Sequence, residues 1–247
     1  MKVLHVSAND INGGAAIAAY RLHRGLLKKG VDSRMLVLYK KSDDPSVIQF
    51  YPSADIAKRL KRKVKERIID WRYGASKQKK SSEYEQLSNA RTPYIDNFHE
   101  KITHVDIINL HWTATFVDYE AFFQNLTGDA PVIWTLHDMN PFTGGCHYAG
   151  ECHGFEEQCG LCPQLASTTR KDFSHYNWAY KHKALSEIES ASLHIVTPSK
   201  WLGRQSKSSS LFSRFNHSVI PYGLDLDVYK PGNPSGLKDA LNIPNDA

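Results

Sequence analysis

Long apolar runs are the first thing this sequence lacks. No stretch approaches the roughly 18 apolar residues that a membrane-crossing helix needs. The opening MKVLHVSAND carries one lysine and a short apolar stretch, then a polar loop. It has neither the long apolar region nor the small-residue cleavage site of a signal peptide, so it reads as the first strand of a cytoplasmic protein. Neither G-x-G-x-x-G nor G-K-[ST] occurs, which removes the dinucleotide fingerprint and the P-loop. There is no internal repeat, and low complexity is confined to a lysine-rich patch near 77–82. Cysteine is scarce: there are four in 247 residues, all between Cys146 and Cys162. In a reducing compartment such a group points to metal ligands or free thiols before disulfides.

What is present is ordinary in bulk and uneven in detail. Hydrophobic residues make up 41% and charged residues 23%, enough for one large domain or two small ones. The net charge of +5 is concentrated in one segment. Between Ala54 and Lys80 stand eleven Lys or Arg against three Asp or Glu, a net +8, which leaves −3 for the rest.

Strand-like and helix-like stretches alternate along the chain. Lys2–Ala8 is a β-capable run, followed by the turn-rich Asn9–Gly14. From Ala15 to Lys29, apolar residues recur at near-helical spacing, and Gly30 is a natural C-cap. Val31–Tyr39 returns as a strand, which completes a βαβ unit with a right-handed crossover. Further strands are expected at Asp106–His111, Pro131–His137, Leu193–Thr197 and His217–Pro221. Helices are expected at Phe116–Leu126, Phe173–Ser190 and Ser199–Gln205. The expected fold is α/β, a Rossmann-like doubly wound and mostly parallel sheet of six or so strands. Residues 1–225 form this domain, with a basic helical segment at 54–80 and a Cys-rich loop at 138–171. Residues 226–247 read as a linker and the start of a further domain.

Four features could carry chemistry. Asn12-Gly13-Gly14 lies between the first strand and the first helix. There a bare backbone and open helix N–H groups suit a phosphate or a sugar oxygen, and a plain tight turn fits equally. His137 stands at the carboxyl end of a strand, where open α/β sheets hold ligands, and Asp138 beside it could fix its tautomer. His111 ends the preceding strand and reads as structural. The cysteines fall as C-x5-C-x6-C-x2-C, so Cys146, Cys152, Cys159 and Cys162 could close a structural zinc site; disulfides or free thiols are the alternatives. Finally, Ile56, Leu60, Val64, Ile68 and Trp71 form one apolar stripe on a basic helix. Such a helix can lie on an anionic membrane, but packing of the stripe against the sheet is the favoured reading. Nucleic acid is not an expected partner, because no recognition motif accompanies the charge.

Taken together, several segments resemble the N-terminal half of a family 4 glycosyltransferase of the GT-B type. They are KVLHVSANDINGGAAIAAYRLHRGLLKKG, DIINLHW, PVIWTLHDMNPFTGGCHY with its sequel CGLCPQL, LHIVTPSKWL and VIPYGLDLDVYKP. The long cysteine-bearing pattern is similar to an exopolysaccharide-type subset. The resemblance implies a nucleotide-sugar donor, a saccharide or lipid-linked acceptor, and a role in surface polysaccharide synthesis at the inner face of the cytoplasmic membrane. It implies that Gly13 and Gly14 line the cleft near the donor phosphates and that His137 lies beside the transferring sugar; Asn12 and Asp138 beside them are candidate donor- or acceptor-binding residues. Retaining members carry a Glu-x7-Glu element in their C-terminal domain; no pair of glutamates here has that spacing. The chain therefore reads as an acceptor-side half that is inactive alone. Where the family junction usually reads Pro-Asn-Gly, this chain has Pro221-Tyr222-Gly223, and Tyr222 is given no role. A different class, a zinc-stabilised module binding nucleic acid or another acidic partner through its basic helix, leaves the glycine loop and His137 without a use.

Overall fold

The computed structural model describes residues 1–73, 87–94, 104–126 and 130–232, with isolated positions between 236 and 244. The lysine-rich patch at 77–82, the end of the basic segment from 74, and much of 226–247 lie outside the described residues.

Seven strands form one parallel sheet in the order β3-β2-β1-β4-β5-β6-β7. They are β1 (Lys2–Asn9), β2 (Asp32–Tyr39), β3 (Val47–Gln49), β4 (Ile107–Leu110), β5 (Val132–Thr135), β6 (Leu193–Thr197) and β7 (Asn216–Val219). Among the described residues the α-helices are α1 (Gly14–Lys28), α2 (Ile56–Tyr73), α3 (Tyr119–Gln124), α4 (Phe173–Ser186) and α5 (Lys200–Ser208). The α/β, Rossmann-like reading holds. The sheet has one strand beyond the expected six, because β3 is only three residues long and too short to show periodicity.

The chain starts in the middle of the sheet, builds outward to β3, then returns across β1 to lay β4 on its other side. That reversal opens a crevice between the carboxyl ends of β1 and β4, where such sheets bind ligands. Both faces of the sheet are buried. On β2, Leu36 and Leu38 join the main core, while Met35 and Val37 pack with Ala19 and Val47 in a second cluster under α1. The larger core is rich in rings: Trp134, Phe142, Phe212 and Phe215 are all essentially inaccessible.

α1 ends as its sequence suggests. Gly30, at φ 77°, takes the left-handed conformation that a side chain resists. Its N–H bonds the Leu27 carbonyl at 3.0 Å and the Val31 N–H bonds that of Leu26 at 3.0 Å, the pairing of a Schellman stop.

α2 corrects the expected packing. Its apolar stripe faces outward: Ile56 and Trp71 are 79% and 82% exposed, and Leu60, Val64 and Ile68 are exposed as well. The half-buried positions are Arg62, Lys65 and Ile69 instead. Lys65 Nζ reaches the buried Asp118 carboxylate at 2.9 Å, and Arg62 donates to the Ser53 carbonyl at 3.3 Å. Lys65 thereby adds a cation to a buried carboxylate that also accepts from the Thr92 and Ala121 N–H groups and the Tyr180 hydroxyl.

Candidate active site

The crevice begins at the glycine loop. Gly13 has φ 95° and immediately precedes α1, a conformation costly for any residue with a side chain. α1 has no side-chain N-cap and no acidic residue in its first turn, so its leading N–H groups and positive dipole end face open space. Ser7, Asn9, Asn12, Gly13, Gly14 and Trp112 line a cavity of about 260 Å³ there. The Ser7 hydroxyl is buried and has no hydrogen-bond partner. Asn12 sits at the rim, its side-chain oxygen accepting from Lys41 Nζ at 3.3 Å.

Asp10, which sequence reasoning passed over, shapes this loop. Fully buried, its carboxylate accepts from the backbone N–H groups of Ile11, Lys41 and Ser42 at 2.8 to 3.1 Å. Burial alone would raise its pKa, but these N–H donors and Ser42 outweigh burial and hold it below the usual carboxylate value. The loops after β1 and β2 are thereby tied together.

His137 does not stand alone. Its Nε2 lies 3.1 Å from His111 Nδ1, and His111 Nε2 lies 2.9 Å from His5 Nδ1. A row of three imidazoles thus crosses the three central strands, with His5 and His111 buried and His137 half-buried at its outer end. His23 of α1 meets His5 edge-on at 5.7 Å between ring centres. At the outer end, His137 Nδ1 is 2.7 Å from the Tyr222 hydroxyl, and the two rings stack at 5.4 Å. Tyr222 therefore has a place in the site. Nothing local signals it, since it comes 85 residues later in the chain.

Asp138 does not set the tautomer of His137. Its Oδ2 accepts from Trp112 Nε1 at 2.9 Å and from His147 Nδ1 at 2.6 Å, and its Oδ1 accepts from the Asn140 N–H at 2.9 Å. It is the hub of the loop after β5 and ties that loop to the Trp112 ring on the cavity wall. Trp112 thus stands on the wall of the glycine cavity and hydrogen-bonds the residue after His137, while the adjacent His111 contacts His137 itself.

The cysteine loop folds against α4. All four thiols are free and line one small cavity with Gly144 and Phe155. Burial pushes Cys146 up to about 11 and Cys159 up to about 12, and raises Cys162. Among the described residues, no group of three or more His, Cys, Asp or Glu is arranged to hold a metal ion. Lys181 of α4, fully buried, donates to the carbonyls of Asn140 and Thr143. Burial lowers it to about 8, while the neighbouring Cys146, Cys159 and Asp138 oppose that fall.

No family model matches the chain. The chain is similar to the "Putative colanic acid biosynthesis glycosyl transferase WcaC" of Escherichia coli (strain K12), with 26% identity over 235 residues. The match covers 92% of this chain and 55% of that protein, so the chain spans about half the length of its curated relative.

The histidine row makes stability acid-sensitive. Burial holds His5 at about 3 and His137 at about 4, and keeps His111 well below 6.5. An unfolded histidine binds a proton below about 6.5 that the folded one refuses. Stability is therefore full above that pH and falls as pH drops toward 4, by about 1.4 kcal/mol per pH unit for each such histidine. Urea unfolding followed from neutral pH downward should show this decline; a flat midpoint between about pH 7 and 5 would show that the folded rings take up protons as readily as unfolded ones.

Proposed function

We propose that this chain is the acceptor-side half of a GT-B, family 4 glycosyltransferase that moves a sugar from a nucleotide-sugar to a saccharide or lipid-linked acceptor in surface polysaccharide synthesis. The observation that carries this reading is the uncapped, glycine-lined cavity at the start of α1, whose Trp112 wall hydrogen-bonds Asp138, the residue next to His137. A helix N-terminus free of its own caps, a bare Gly13-Gly14 backbone and an unpartnered Ser7 hydroxyl offer donors to a diphosphate. His137 follows β5 at the outer end of the histidine row, with its Nδ1 held 2.7 Å from the Tyr222 hydroxyl. The similarity to a glycosyl transferase of Escherichia coli supports the same class.

In this reading the residues act by positioning and electrostatics. The glycine loop and the α1 dipole stabilise the charge that develops on the leaving diphosphate. His137, held neutral by burial, hydrogen-bonds an oxygen of the transferring sugar and fixes it against the acceptor hydroxyl. The reaction is assigned as retaining, and the donor-side domain supplies most nucleotide contacts, so the chain alone should not turn over.

Two further parts belong to the proposal. The outward apolar stripe of α2, flanked by Lys58, Arg59, Lys61 and Lys63, suits the headgroup region of an anionic membrane, and this supports a reading of peripheral contact with the inner face of the cytoplasmic membrane. The four cysteines line one cavity, and their thiolates would be the ligands of one structural zinc, although their side chains are not arranged to hold a metal ion as they stand. Four thiolates close the coordination sphere, so that metal braces the loop and takes no part in transfer.

Joined to its donor-side domain, the His137→Ala variant should lose transfer activity by about a hundredfold or more; wild-type rates would remove His137 from the mechanism. The wild-type chain should sediment with vesicles rich in anionic lipid and not with zwitterionic ones. Leu60→Glu with Trp71→Glu should abolish that, and equal binding by the variant would count against α2 as the contact. Elemental analysis should find about one zinc per chain, and less than about half an equivalent would remove the metal.

A further inference from the structure

We infer that His111 is a positioning residue, which fixes the ring tautomer of His137 so that His137 turns Nδ1–H toward the crevice. The inference deepens the transferase reading, since it specifies what His137 offers the sugar, and its test needs no substrate.

Three neutral imidazoles in a hydrogen-bonded row have two possible polarities. Each ring must donate from one nitrogen and accept at the other, so fixing one ring fixes all three. In one polarity, the Tyr222 hydroxyl donates to His137 Nδ1 and each Nε2–H donates inward. The row then ends on an Nε2–H of His5 that is buried and has no acceptor, because that nitrogen has no partner. In the other, His5 Nδ1–H donates to His111 Nε2 and His111 Nδ1–H donates to His137 Nε2. His137 Nδ1–H then points outward to the Tyr222 oxygen, and the row ends inside on a bare lone pair.

Orphaned buried N–H groups are rarer than under-satisfied acceptors, so the buried end selects the second polarity. The outer end agrees: the Tyr222 hydroxyl, receiving from His137, lies 3.5 Å from the Leu136 carbonyl and can direct its own proton there. The row does not carry protons inward. A proton taken from the crevice at His137 and passed along would end as an imidazolium at His5, walled in by His23 and the sheet. That is a buried charge with no counter-ion beside it. The row therefore orients His137 as a neutral donor rather than equipping it as a base. A sugar hydroxyl or ring oxygen that displaced Tyr222 would meet an N–H already aimed at it.

The experiment is long-range proton–nitrogen correlation NMR on the nitrogen-15-labelled chain, with His137 assigned by its loss in His137→Gln. In the wild type, His137 should show a protonated Nδ1 and a bare Nε2. In His111→Leu the inward donor is gone, and His137 should revert to the commoner Nε2–H form and lose the Nδ1–H signature. In His111→Asn, whose amide nitrogen can replace Nδ1–H, the wild-type pattern should return. A bare Nδ1 in the wild type overturns the inference, as does a His111→Leu spectrum with Nδ1–H intact. If His111→Leu fails to fold, the wild-type and His111→Asn spectra still decide: loss of Nδ1–H in His111→Asn overturns the inference. Because the readout is the ring itself, a failed tautomer assignment is distinguishable from a failed assignment of transferase activity.

Discussion

The site depends on how one buried, irregular stretch of backbone finds its hydrogen bonds. Residues 139–145 are buried without forming a strand or a long helix, so their carbonyls and N–H groups need partners from elsewhere. α4 supplies two of them. Lys181 holds the carbonyls of Asn140 and Thr143, and Asn177 donates to the Gly144 carbonyl at 3.0 Å. Close approach of α4 requires glycine at 144, where a Cβ would come within 2.5 Å of the Ser174 carbonyl oxygen. With that backbone fixed, Asp138 and His137 have defined places.

The cysteine loop extends the same arrangement. The Asp172 carboxylate caps α4 by accepting from the His175 N–H at 3.1 Å and accepts from the Cys162 N–H at 2.8 Å. One side chain thus starts the helix and anchors the end of the loop. Together with Lys181, it makes α4 the support on which both the loop after β5 and the thiols rest. The low amphipathicity of α4 follows, since its buried side includes Ser174, Asn177 and Lys181 rather than an apolar stripe.

Local signals were legible in the sequence, and long-range pairings were not. The alternation of apolar runs and helical spacing located β1, α1, β2 and the later strands, and Gly30 marked the end of α1, because these depend on near neighbours. The strand-end position of His137 was legible, since β5 ends two residues before it. What surrounds it was hidden: Asp138 is adjacent in sequence yet turns to Trp112 and His147, while His111 and Tyr222 approach from 26 and 85 residues away. The α2 stripe misled for a related reason. Periodicity shows that a helix has two faces, but not which of them meets a partner far along the chain, as Lys65 meets Asp118.

In the proposed reading, the stacked Tyr222 makes His137 an exchange site. A ligand oxygen arriving at His137 replaces a hydrogen bond that already exists, so that contact adds little net binding energy. Affinity would come from the glycine cavity and the rest of the crevice, while the displaced phenol enforces selection: only a group that can accept at the same point leaves no donor unmatched. In that reading a ligand at His137 would free the stretch 220–223 that carries Tyr222, and the segment beyond β7 would report what sits against His137.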